Sequence, residues 1–324
     1  MKKVYAAVFF LFLLISMLYF LFLLMFVIVP KLSYITEKFR DISEESLTLM
    51  VNQIIFGKEH PKTLKSMFNL AYVLAEKEDA GSRAKAAVLY RDILEHRKRV
   101  YGKEHEYTLD VMSNLAYTQA TRGDAKSLAE SEGLRREVLT IEKKVRGEKN
   151  LRTLTSMCSL AWVLAQKGDA ESLTEAEDLY RETLKLRKKM FGEEHLDTLN
   201  SMYSVAWVLA KKDDAKSTAE AETLYREAML LGKKALGKEH PYTMDSMYAL
   251  AFLLEKKGDA QSLAEAEDLS RELLELHQKV LGKKHKKTLK TMRHLATILQ
   301  HKGDTESLQE AEALRAEIKA IKGY

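Results

Sequence analysis

The chain has 324 residues, 46% hydrophobic and 31% charged, with 14 glycines and three prolines. This composition favours helices over a strand-and-turn fold. The net charge of +5 falls to +3 once residues 1–30, with Lys2 and Lys3, are set aside, so no bulk attraction to nucleic acid is implied. The lone cysteine, Cys158, excludes an intrachain disulfide.

In chain order, the first element is apolar. Val4 to Val29 carries no charge, between Lys2-Lys3 and Pro30-Lys31. As a helix the run would be about 39 Å long, against a hydrocarbon core of about 30 Å. A cleaved signal peptide has a shorter apolar region ending at small residues. Here bulky Phe26, Val27, Ile28 and Val29 stand at that place. Residues 1–30 are therefore expected to be a transmembrane anchor, and the chain a single-pass membrane protein. The basic flanks barely decide orientation. The unpaired cysteine and the lack of any Asn-x-Ser/Thr site favour a cytoplasmic array. Residues 31–56 read as a linker and capping helix.

From Gly57 onward the chain repeats every 45 residues. Gly57, Gly102, Gly147, Gly192, Gly237 and Gly282 open the words GKEH, GKEH, GEKN, GEEH, GKEH and GKKH. A second column runs through Thr63, Thr108, Thr153, Thr198, Thr243 and Thr288, and a third reads EDA, GDA, GDA, DDA, GDA, GDT. Six units without an insertion (57–101, 102–146, 147–191, 192–236, 237–281 and 282–324) signal stacked supersecondary units.

Each unit reads as two helices. In the third, Leu154, Met157, Leu160, Ala161 and Leu164 form one apolar face. Gly168 then suits a left-handed helix end. Leu173, Ala176, Leu179, Tyr180, Thr183, Leu184 and Met190 stripe the second helix, which Ser172 and Glu175 would start as a capping box. The same pair recurs at Ser127/Glu130, Ser217/Glu220, Ser262/Glu265 and Ser307/Glu310. Neither helix buries its stripe alone, so stacking must supply the core. In the last unit Arg315, Lys319 and Lys322 replace apolar residues, as a polar terminal cap would.

The pattern S-M-x-x-L-A-x-x-x-A-x-K-G-D-A followed by E-A-E-x-L-Y-R resembles tetratricopeptide repeats. Leu236 to Met244, LGKEHPYTM, resembles the kinesin light chain type. The resemblance covers about residues 57–324. It implies an all-α, right-handed α-solenoid of six helix-turn-helix units whose first helices line a concave groove. The units depart from the family's usual lengths through extra residues between the helices. No heptad region precedes them, so a cargo-adaptor role on a motor is not carried over.

Catalytic signatures are absent: no GxxxxGK[ST], GxGxxG, HExxH, GxSxG or CxxC occurs. Ten of the 14 glycines belong to the two repeat loops, which leaves no phosphate cradle. No enzyme activity, cofactor or metal is expected. His60, His105, His195, His240 and His285 form a column, but stacked units hold equivalent atoms roughly 10 Å apart. Metal ligands must converge to about 2 Å of one ion, so the column reads as helix entry.

Basic clusters such as Arg97-Lys98-Arg99 and Arg187-Lys188-Lys189 close the second helices. They read as dipole-matched helix ends or as a stripe for anionic lipid or nucleic acid. The column Tyr72, Tyr117, Trp162, Trp207, Phe252 follows the Leu-Ala or Val-Ala pair of each first helix. By the resemblance it faces the groove, where aromatics supply contact area; it could equally be extra core. Lys65, Phe68, Asn69, Asp110, Asn114, Tyr203, Tyr248 and Arg293 are groove candidates by the same alignment. The expected function is a membrane-anchored scaffold that binds a peptide or protein partner, with no nucleic acid. Lipid or nucleic-acid binding by the basic ends, or a purely structural role in an assembly, are the alternatives.

Overall fold

A computed structural model of the chain describes residues 43–322. Every regular element among the described residues is a helix: α1 (Glu44–Phe56), α2 (Pro61–Ala75), α3 (Ala80–Tyr101), α4 (Glu106–Ala120), α5 (Ala125–Arg146), α6 (Leu151–Lys167), α7 (Ala170–Phe191), α8 (Leu196–Lys212), α9 (Ala215–Ala235), α10 (Pro241–Lys257), α11 (Ala260–Leu281), α12 (Lys286–Lys302) and α13 (Thr305–Lys322). They fall into two compact units, one ending at Gly102 and one beginning at Lys103. In the first, α1 packs on α2 and α2 on α3; in the second, each helix from α4 to α13 packs on the next. First helices also meet across units, α8 on α10 and α10 on α12. This is an all-α helical-repeat solenoid.

Local chemistry explains the 45-residue period. The helices α1, α3, α5, α7 and α11 end at a glycine, and α9 ends at Leu236, one residue before Gly237; at Gly192 φ is 87° and ψ 175°, a region open in practice to glycine alone. Three residues later His195 caps α8, its Nδ1 accepting from the backbone N–H of Asp197 at 3.2 Å. His60, His105, His240 and His285 do the same, and Asn150 replaces them with Oδ1 at 2.9 Å from the N–H of Arg152. That is why GEKN is tolerated among the GKEH words: both side chains are acceptors of the right reach. Proline at 61 and 241 takes the first helical position, where no N–H is needed.

The expected Ser-Glu capping box is corrected. The second helices begin earlier, capped by Asp79, Asp124, Asp169, Asp214 and Asp259. Asp169 Oδ1 accepts from the N–H of Ser172 at 2.9 Å, and the Ser172 hydroxyl donates to Oδ2 at 2.7 Å. Glu175 is thereby freed and pairs instead with Arg136 of the preceding unit at 2.6 Å. Arg181–Glu220, Arg226–Glu265 and Arg271–Glu310 repeat the pair, always 39 residues apart. Each arginine also holds the glutamate four residues before it. That glutamate takes a lysine from the end of the next first helix, as Glu177 takes Lys212 at 2.5 Å. Such half-exposed pairs contribute little singly, but the repeated network fixes the register between units.

Within the second unit one core cluster runs from Leu139 through Met157, Tyr180, Leu209 and Met247 to Ile298, with smaller clusters beside it. The expected transmembrane helix and single-pass membrane localisation are not upheld. Among the described residues no helix is long and apolar enough to cross a membrane. The 22-residue helices have the length, but Arg181, Lys185 and Arg187 on α7 show why none has the apolarity. The run Val4–Val29 itself lies outside the described residues. The expectation of an array on the cytoplasmic side of a membrane loses its footing with it.

Candidate functional site

First helices place the aromatic column one residue beyond the buried Leu-Ala or Val-Ala pair, so the side chains emerge beside the core stripe. Tyr72 is 53% exposed, Tyr117 42% and Phe252 52%, while Trp162 and Trp207 are half-buried. The second unit brings four predicted residues together. Tyr203 and Trp207 from α8, with Tyr248 and Phe252 from α10, line one groove of about 420 Å³. Its floor is Tyr225 from α9, edge-on to Tyr203 at 5.3 Å.

The groove is aromatic with a basic rim. Lys211 Nζ stands 4.9 Å over the Trp207 ring and Lys290 Nζ 4.2 Å over Tyr248. Lys256, also on the rim, is held by Asp213. Burial pushes the phenols of Tyr203, Tyr225 and Tyr248 above the ordinary tyrosine range, so all three stay neutral. A second hollow of about 780 Å³ adjoins it, shared by Tyr248, Phe252, Arg293 and His294. There Glu255 lies 3.0 Å from His301 Nδ1 and 3.7 Å from His294 Nε2. Burial, then the charge of Lys290, pushes the His294 imidazole down to about 4.

The other predicted positions are dispersed. Tyr117 and Trp162 stack at 6.0 Å and 27°. Asn114 donates its amide to the Asp110 carbonyl at 2.8 Å, and Asp110 lies 3.6 Å from Arg152. In the first unit Phe68 packs edge-on to Tyr90 at 5.6 Å under the guanidinium of Arg97, while Lys65, Asn69 and Tyr72 are exposed. Sequence reasoning missed Tyr225, Lys211, Lys256, Lys290 and His294. Lys211 was within reach, standing four residues after Trp207 on one helix face. Tyr225 was not, because it comes from the second helix.

The basic helix ends are each partly offset by a glutamate of the turn words: Arg99 by Glu59, Lys144 by Glu104, Lys234 by Glu194 and Lys279 by Glu239. Among the described residues no group of three or more His, Cys, Asp or Glu side chains could hold a metal ion.

Residues 153–197, 198–242 and 243–285 each match the tetratricopeptide repeat family model. A comparison with curated proteins finds no match. Among solved structures, the chain is similar to the nearly identical TPR-like repeats assigned to a kinesin light chain of Podosopora anserina. The TM-score is 0.55 and the identity 25%, over 68% of this chain and 97% of that one. It is also similar in fold to BtubC (BKLC) from P. vanneervenii, with a TM-score of 0.55 and 19% identity over 78% of this chain and 93% of that one.

Proposed function

The chain carries tetratricopeptide repeats like those of kinesin light chain-like proteins, and from this we propose that it is a protein-interaction scaffold whose groove between α8 and α10 takes a peptide segment of a partner. The observation that carries the reading is the convergence of Tyr203, Trp207, Tyr248 and Phe252 on one groove of about 420 Å³. That size falls within the range of about 300–1,000 Å³ usual for ligand sites. Rigid, partly buried aromatics with Phe252 half exposed, ringed by cations, suit a segment that lays side chains between them. Phe252 in particular gains no core packing from its exposed half. The glutamate paired at each of four basic helix ends weakens the case for a surface for lipid or nucleic acid.

Selection from a random peptide library on the full chain, followed by rebinding to a Trp207→Ala/Phe252→Ala variant, tests this. Loss of aromatic anchors of this kind costs about 2 kcal/mol or more, so binding should weaken at least about thirtyfold. The helical circular dichroism should stay unchanged. Peptides that bind parent and variant equally would refute the groove.

A further inference from the structure

The second helices carry one register position at Tyr90, Arg135, Tyr180, Tyr225, Ser270 and Arg315, the last of them exposed and bonded to Gln300. The tyrosines there are buried. Two are covered from the first helix of their own unit: Tyr90 by Phe68 and Tyr225 by Tyr203, both edge-on. In the unit that opens at Gly102 both members change. Arg135 replaces the tyrosine, and Ser113 stands where Phe68 and Tyr203 stand elsewhere. A short residue takes the place of the ring that closes the position in those units.

Arg135 is only 8% exposed. Its Nε is buried with no hydrogen-bond partner, and among the described residues no carboxylate pairs with its guanidinium. The neighbouring acids are committed elsewhere. Glu132 holds Arg136 and Lys167, Glu175 holds Arg136, and Glu142 holds Arg146. Burial pushes the guanidinium pKa down to about 10, which leaves it charged at neutral pH. A buried cation without a partner is costly, and an anion that arrives to meet it would offset that cost. The equivalent residue Tyr225 lines the groove directly. By that register Arg135 occupies the corresponding position of its own unit.

We propose that Arg135 is an oxyanion-binding residue, taking a carboxylate or phosphate group carried by the segment bound along this face. The proposal rests on the groove reading for the source of the anion alone; the unpaired guanidinium stands without it. Guanidinium binds either group through paired N–H donors, so one side chain suits both.

The full chain carrying Trp207→Phe leaves Trp162 as the single tryptophan and reporter. It is titrated with sodium phosphate and with sodium acetate, each against sodium chloride at matched ionic strength. A saturable change in Trp162 fluorescence with phosphate alone assigns a phosphate group; a change with both assigns carboxylate as well. Arg135→Tyr restores the register residue, so it should melt higher than the parent and bind the anion at least tenfold more weakly. Arg135→Lys should retain a weakened response. No response beyond chloride, or an equal response in Arg135→Tyr, overturns the proposal. An anion response without any library peptide captured would sink the groove reading and leave the Arg135 site standing.

Discussion

Thr153 and Thr198 occupy the same position of successive units, and both are completely buried. They differ in one bond. The Thr153 hydroxyl donates to the carbonyl of Gly147 at 2.8 Å, tying the start of α6 to the turn before it. The Thr198 hydroxyl has no hydrogen-bond partner among the described residues. Replacing either by valine keeps the shape and removes the hydroxyl. At Thr153 a net hydrogen bond worth about 1 kcal/mol is lost, and the Gly147 carbonyl keeps only a long contact of 3.4 Å from the Asn150 N–H. At Thr198 an unsatisfied buried hydroxyl is relieved, which should stabilise by about 1 kcal/mol. Thr153→Val and Thr198→Val should therefore move in opposite directions and differ by about 2 kcal/mol, some thirtyfold in the unfolding equilibrium. Urea unfolding of the full chain followed by circular dichroism at 222 nm measures both. Equal shifts of the same sign would show that the hydrogen bond does not distinguish the two positions.

Two further outcomes follow from the same geometry. His240 acts as a helix cap, so His240→Asn should leave stability unchanged, as Asn150 does naturally, while His240→Ala should lose about 1 kcal/mol. Thermal melts with and without zinc check it, and a zinc-dependent rise in the parent would refute the cap reading. His294, pushed down to about 4, should make the protein acid-sensitive near neutrality. The unfolded imidazole binds a proton below about 6.5 and the folded one resists it. Stability is therefore full above that pH and falls as pH drops towards 4, by up to about 2 kcal/mol at pH 5. His277, pushed down by its own burial, adds in the same direction. His294→Ala, matching Ala249 in the preceding unit, should flatten the dependence between pH 6.5 and 5. A slope unchanged in that variant would assign the acid sensitivity elsewhere.

The sequence by itself determined what is local. The period, the alternation of helices, the glycine ends and the proline entries are written in residues within a few positions of one another, where backbone sterics and nearby acceptors decide. It also marked the aromatic column, because 45-residue spacing puts equivalent residues on one face. The tertiary structure decided everything that depends on a neighbouring unit. Glu175 looked like a cap for its own helix, and it became the partner of Arg136 only because Asp169 already filled the cap and a second unit stood alongside. Tyr203, Trp207, Tyr248 and Phe252 form one groove while Tyr117 and Trp162 stack on each other, a distinction the shared 45-residue spacing does not carry. Arg135 is one letter in a column that also holds three tyrosines; only packing shows it as a buried cation without an anion, since burial and pairing are properties of the surroundings rather than of the residue.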